Sequence, residues 1–503
     1  MNTAVSARSV GHHRPQLFIG GEWVAPADGG MRDVVSPATE EVIGSVAWGT
    51  PTDVQRAVES ATRARHGEWA RRGFDERAEL LEVLADEIDA RAAYVSEVTT
   101  AEAGQPASRA RDLGHVAARM VRAAIDCARQ VPLRELRRDS AGATLVQQEP
   151  VGVVGALVPF NGPLTISVLK TAPALLAGCP VVLKPSPQAL LPAFVLAEAA
   201  EAAGLPSGMF NLVTGDAPVG QALVEHPNVA LVSFTGSTAV GRRIAEAAGA
   251  GLKHISMELG GKSAAIVLDD ADLDVAVPLI ASAFTTAGQY CRALTRVLVP
   301  AHRSAEVISA LVDAATKMRP GDPTASATNM PPLISSAQRD RVERYVELAR
   351  QSGAKIECGG RRPPSLSAGY FYEPTVVSNA KNDMPFVREE IFGPVVAVIE
   401  YGDVEEAIAI ANDSDYGLSG AVFTRDLDRG LDVALRVETG TIGVNQHGAR
   451  SSAPCGGVKA SGIGQEHGPE GFLEFLTPKA IMVPDDLATA LERSGVPTRP
   501  VVR

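Results

Sequence analysis

The chain has 503 residues, of which 45% are apolar and 21% charged, and a formal net charge of −12. That length exceeds a single hydrophobic core and predicts roughly two to four domains. The charges are interspersed and net acidic, which argues against nucleic acid or an anionic membrane as the main partner.

The opening residues 1–16, "MNTAVSARSVGHHRPQ", are polar, lack the apolar core of a secretory signal and are expected to be mobile. Residues 17–24, "LFIGGEWV", read as a hairpin turning at Gly20-Gly21. From 51 to about 131 apolar residues recur at helical spacing. Then the pattern changes. "VGVVGALVP" (151–159), "PVVLKPS" (180–186), "MFNLVTG" (209–215) and "NVALVSFTGS" (228–237) are short apolar runs, each followed by a helical stretch. Apolar strands without alternation, spaced by helices, predict a parallel sheet covered on both faces. A second α/β block follows from about 260 to 475, with strands near "SAAIVL", "RVLVP", "PVVAVIEY" and "GAVFT". Two further strand-like pieces, "ATLVQQEP" (143–150) and "KAIMVPD" (479–485), flank these blocks. The longest uncharged stretch, 151–169, is broken by Pro159, Asn161, Gly162 and Pro163, so it reads as strand, turn and helix, not a membrane span. Cys127, Cys179, Cys291, Cys358 and Cys455 lack metal-site spacing and predict reduced thiols in the cytoplasm.

Several residues have chemistry to offer, each with an ordinary alternative. Gly236 and Ser237, between a strand and a helix, suit a pyrophosphate, although a plain tight turn explains them as well. Lys184 in "LKPSP" points to the carboxyl edge of the sheet, where ligands bind in such folds, or is a solvated lysine before a turn. Asn161 in "PFNGP" is a turn former or an oxyanion donor. Glu258, in the apolar "MELGGKS", is expected to have a raised pKa and could act as a base; otherwise it turns outward. Cys291 in "GQYCRAL" is a nucleophile or a small packed residue. "EEIFGPV" adds Glu390 and Phe392 before a Gly-Pro turn.

Taken together, "FTGSTAVG", "MELGGKS", "GQYCRA" and "EEIFGPV", in this order and with matches from "GEWV" to "FLTPKAI", resemble the NAD(P)-dependent aldehyde dehydrogenase superfamily. The resemblance implies an α/β fold: a Rossmann-like, doubly wound parallel coenzyme domain (1–132 and 151–257), an α/β catalytic domain (258–470) and a small β oligomerisation arm (133–150 and 471–489). A loose tail, 490–503, is expected beyond them. It implies Cys291 as nucleophile, Glu258 as general base, Asn161 with the Cys291 amide as oxyanion hole, and Lys170 near the active site. It places NAD, with NADP as a second option, against Pro159, Lys184, Ser186, Thr235, Gly236, Ser237, Glu390 and Phe392. Asn445 and Gly456-Gly457 match the family's closing segment. The implied reaction takes an aldehyde to a carboxylic acid through a cysteine thiohemiacetal and thioester, in a homodimer or homotetramer without a metal. Members that acylate coenzyme A typically lack the glutamate present here as Glu258, and a non-catalytic scaffold would have lost one of Cys291, Glu258 and Asn161. Three departures stand out. Pro187 replaces a carboxylate that many NAD-preferring members carry, Cys455 replaces an aromatic of the substrate tunnel, and Gly162 stands where a bulky residue is common. Arg292, His447 and Arg450 could meet a polar or carboxylate-bearing substrate.

Overall fold

The computed structural model describes residues 12–499. Most of the polar opening stretch (1–11) and the last four residues (500–503) lie outside the described residues. Five strands form a parallel series in the spatial order His254–Glu258, Val229–Thr235, Val153–Val158, Val181–Pro185, Phe210–Leu212. Every residue of Val153–Val158 and of Val181–Pro185 is buried, as an apolar strand covered by helices on both faces must be. The hairpin Leu17–Ile19 and Glu22–Val24 extends one edge antiparallel, and Gly462–Ile463 closes the other. The earliest strand of the parallel series, Val153–Val158, lies in its middle. The next two are added on one side and the last two on the other, so strand order reverses between Val153–Val158 and Val229–Thr235. A crevice at the carboxyl ends of those two strands is where this architecture binds ligands.

The second sheet has the order Lys355–Cys358, Thr375–Ser378, Val395–Tyr401, Leu294–Pro300, Ser263–Val267, Ser419–Phe423, Thr441–Val444, parallel except for the first strand. A third sheet stands apart from both: Leu476–Val483, Gly142–Pro150, Arg134–Asp139 and Thr498–Arg499 in that order. Helix Asp485–Arg493 covers it through a small core of Leu136, Ala143, Leu145 and Ala488.

The structure departs from the sequence expectations in three places. Residues 490–493 end a helix and Thr498–Arg499 pair in parallel with Arg134–Asp139, where the Arg499 Nε–Glu135 Oε2 ion pair spans 2.7 Å. The expected loose tail is therefore ordered as far as Arg499. A three-stranded sheet of His12–Arg14, Val42–Ala47 and Met31–Val35 precedes the helical region. Arg134–Asp139, "RELRRD", is a strand despite its charges, because one face of the arm sheet is open to water. Among the described residues no helix is long and apolar enough to cross a membrane.

Phe194, with 0% exposure, packs from helix Leu191–Ala202 into the largest core. Phe194→Ala is expected to cost about 3–5 kcal/mol and lower the apparent melting temperature by several degrees, read by circular dichroism.

Candidate active site

Two sheet edges meet where the chemistry-bearing residues gather. Pro159 and Asn161 follow strand Val153–Val158, and Ser186 follows Val181–Pro185, which contains Lys184. Thr235 and Glu258 are the last residues of adjacent strands, and the two pair in register. Gly236 and Ser237 lead from Thr235 into helix Thr238–Ala250. All of these lie at the carboxyl edge of the first sheet. Cys291, Glu390 and Phe392 occupy loops leading into Leu294–Pro300 and Val395–Tyr401, at the amino edge of the second. Contacts tie the edges together: the Phe160 and Phe392 rings meet edge to face at 5.8 Å, and the Gly261 amide donates to Glu390 Oε1 at 3.0 Å. Gly261 admits no side chain, since a Cβ there would lie 2.5 Å from the Cys291 carbonyl oxygen.

Glu258 is buried, and its Oε1 has no hydrogen-bond partner. Burial, reinforced by the nearby Glu466 carboxylate, pushes its pKa up to about 8 against the opposing pull of Arg292, Lys170 and the Gly457 amide. Burial also pushes the Cys291 thiol up to about 12, with Arg292 pulling it down and Glu258 and Glu390 adding to the rise. Cys291 is half-buried by surface area. The two groups feel each other's charge without a hydrogen bond between them among the described residues.

Lys170, 1% exposed in helix Pro163–Ala177, donates from Nζ to Ser233 Oγ at 3.0 Å and to Glu466 Oε1 at 2.8 Å. The Lys170–Glu466 pair therefore lies next to Glu258 electrostatically. Glu466 was not singled out in the sequence. Its one signal there is an acid beside His467 in the glycine-rich "GIGQEHG" segment. Lys262 was missed as well. It is buried, donates to the Phe386 and Glu389 carbonyls at 2.7 and 2.6 Å, and fixes the turn that presents Glu390 and Phe392.

The carboxyl edge of the first sheet fits a dinucleotide. Thr235 Oγ1 is buried and without a partner at the end of its strand. Helix Thr238–Ala250 starts at this edge, and the first amides of any helix lack intrahelical partners and suit an anion. Two expected contributors are partly engaged already: the Gly236 amide donates to the Glu258 carbonyl at 3.0 Å, and the Ser237 hydroxyl caps its own helix by accepting from Val240. Lys184, largely buried, donates to the Pro185 carbonyl at 2.9 Å, and burial pulls its pKa down to about 8 against the attraction of Asp216. Asn445 is occupied structurally, bonding both the Thr424 amide and its carbonyl.

The aldehyde dehydrogenase family profile matches residues 23–481. The chain belongs to the aldehyde dehydrogenase family. It is 42% identical over 469 residues to a geranial dehydrogenase of Castellaniella defragrans, covering 92% of this chain and 98% of that protein. It is also 42% identical to a 3-succinoylsemialdehyde-pyridine dehydrogenase of a Pseudomonas species, with 93% and 98% covered. Among solved structures it resembles a Mycobacterium tuberculosis aldehyde dehydrogenase complexed with NAD+, with a TM-score of 0.92, 40% identity, and 94% and 99% coverage. A Staphylococcus aureus betaine aldehyde dehydrogenase in complex with NAD+ gives a TM-score of 0.91 at 36% identity, with 94% and 95% covered. The fold described above is thus the mixed α/β aldehyde dehydrogenase fold.

In this family member the loop bearing Cys291 depends on Gly288, whose φ is +70° and whose added Cβ would lie 1.8 Å from the Gly393 carbonyl. Gly288→Ala is expected to force the two loops apart and lower kcat/KM by at least about tenfold, since misplacing reacting groups by about 1 Å can cost about 100-fold. Steady-state rates, measured beside circular dichroism to confirm folding, test this.

Proposed function

We propose that Cys291 and Glu258 carry the oxidation of an aldehyde to a carboxylic acid in this chain. The observation that bears most weight is the Glu258 carboxyl: buried, unpartnered at Oε1 and held near neutral pKa, within the electric field of the Cys291 thiol. In the proposed sequence Glu258 takes the thiol proton and Cys291 Sγ bonds to the aldehyde carbon. The former carbonyl oxygen becomes an oxyanion held by the Asn161 side-chain amide and the Cys291 N–H. Loss of hydride from that carbon leaves a thioester. Glu258, once the thiol proton has passed on towards Glu466 and solvent, takes a proton from water, whose oxygen attacks the acyl carbon, and returns that proton to the departing thiolate. The C–S bond breaks, the acid leaves and the thiol is restored. Glu466, bound to Lys170, offers the next acceptor for the proton on Glu258.

Bound NAD supplies the hydride acceptor and a cationic ring. Thr235, Glu390, Phe392 and Pro159 are placed to flank its nicotinamide half. Gly236, Ser237 and the helix amides face its pyrophosphate, and Lys184 and Ser186 its adenosine ribose. With Pro187 where a carboxylate would repel a 2′-phosphate, NADP is a second substrate for the same crevice. The presence of Glu258 favours hydrolysis over transfer to coenzyme A.

The domain division follows the three sheets: a coenzyme domain, a catalytic domain, and an arm for homodimer or homotetramer assembly. Strand Leu476–Val483 supports the arm's role, as a free edge with Met482 81% exposed. Five free thiols support a reducing compartment such as the cytoplasm.

A panel of aldehydes with NAD or NADP, followed at the absorbance band of the reduced coenzyme, tests the reaction. Cys291→Ala is expected to abolish turnover while coenzyme still binds, and persisting dehydrogenation in that variant would remove Cys291 as nucleophile. Glu258→Gln is expected to lower the steady-state rate by about 100-fold or more, by slowing thioester hydrolysis. Because the base acts ionised and its pKa is raised to about 8, hydrolysis in the parent should rise with pH and level off above about 8. In the Gln variant that rise should be absent. A Gln variant that follows the parent's pH profile would assign the base to another group.

A further inference from the structure

Arg292 follows the proposed nucleophile directly in the chain, and only 9% of it is exposed. A guanidinium buried this deeply is expected to have an ionic partner, because an unpaired internal charge is costly. Among the described residues Arg292 has none. Its Nη2 touches the Cys455 sulfur, and its Nε is buried without any hydrogen-bond partner. Beside it stands His447, whose two ring nitrogens are likewise buried and unpartnered, with its ring edge-on to Tyr290 at 6.4 Å between centroids. Burial, aided by Arg292, pulls the pKa of His447 down to about 4, so the imidazole stays neutral and offers one donor and one acceptor. Tyr290, Arg292, His447 and Cys455 thus form a cluster with one permanent cation, an unmet Arg292 Nε, and a His447 ring whose nitrogens have no close partner beyond the Arg292 main chain.

Two features set this cluster on the path of the substrate. Arg292 is one residue from Cys291, about 3.8 Å between Cα atoms, and acts electrostatically on both Cys291 and Glu258. Cys455 stands where the family resemblance puts a wall of the aldehyde tunnel. A group bound to Arg292 therefore lies within the electrostatic reach that joins Arg292 to Cys291 and Glu258. We propose that Arg292, assisted by His447, receives a carboxylate at the far end of a short aldehyde substrate, so that the preferred substrates are ω-carboxy aldehydes. The same cation opposes a quaternary ammonium aldehyde. This inference rests on the aldehyde-oxidising reading above and deepens it.

Two four-carbon aldehydes that differ by one terminal carboxylate, succinate semialdehyde and butanal, test it with NAD on the full-length enzyme. The parent is expected to favour the semialdehyde in kcat/KM by about thirtyfold or more, the low end for a buried charge pair. Arg292→Met should collapse that ratio mainly through a higher KM for the semialdehyde, and Arg292→Lys should restore part of it. If Arg292 instead serves only to hold Glu258 or the thiol, the Met variant will lose rate equally on both aldehydes and shift the pH profile, which overturns the proposal. A parent that oxidises butanal as well as or better than the semialdehyde overturns it too, while leaving the aldehyde reading standing. No reduced coenzyme from either compound or from the wider panel would remove both.

Discussion

Four residues, Leu259 to Lys262, separate the end of one parallel sheet from the start of the next, and the geometry of the site depends on that short link. Because Glu258 ends the first sheet and Ser263 begins the second, the carboxyl edge of one is held against the amino edge of the other. Loops from both must then share one narrow space. The Gly261 amide holds Glu390, and the space its absent side chain leaves is taken by the Cys291 backbone. Lys262 binds the carbonyls of the turn before Glu390. Glu258, Cys291, Glu390 and Phe392 are thereby placed by main chain, which moves less than side chains do. Catalytic groups on rigid elements keep the sub-ångström placement that proximity effects demand.

The same closeness excludes water, and burial then acts on every ionisable group in one direction: toward neutrality. Glu258 and Glu390 are raised, to about 8 and about 6, while Lys184 and Lys262 fall to about 8 and about 7. Cys291 is raised furthest, so proton transfer from thiol to Glu258 is uphill in the resting site. A resting site of this kind protects its thiol from adventitious oxidation, because the thiolate is the reactive form. It also makes reactivity conditional on a cation beside the sulfur. Arg292 supplies part of that field permanently, and a cationic ligand in the crevice would supply the rest.

The parallel strands were legible because they are buried on both faces, so their apolar runs carry no competing polar signal; Val153–Val158 and Val181–Pro185 illustrate this. Strands with an open face were not. Arg134–Asp139 buries little besides Leu136 and Glu135, and its charges hide its period. The tail was misread for a related reason: the helix Asp485–Arg493 buries Ala488 alone, so its composition resembles that of a solvated end. Within the site, Cys291, Glu258 and Asn161 stood out through their motifs. Glu466 did not, because its importance comes from Lys170, which lies 296 positions away in sequence and 2.8 Å away in space. Pairings of that kind leave no local trace in a single chain. The engagement of the Gly236 amide by the Glu258 carbonyl likewise depends on register between two strands.

The division of labour between the two edges also accounts for what a shared fold leaves free to vary. Residues at the first sheet's carboxyl edge answer to the coenzyme and to the reaction, and both are common to the family. On the reading proposed above, Arg292 and Cys455, in loops of the second block, answer to whatever is attached to the aldehyde. The names of the relatives span a geranial dehydrogenase and a betaine aldehyde dehydrogenase, proteins whose aldehydes share little beyond the reacting group. Where the resemblance places an aromatic, Cys455 leaves its sulfur against the Arg292 guanidinium, so the polarity at that position differs from an aromatic wall. The Glu258 carboxylate already favours this cation, and on the reading proposed above a substrate carboxylate adds a second negative charge beside it.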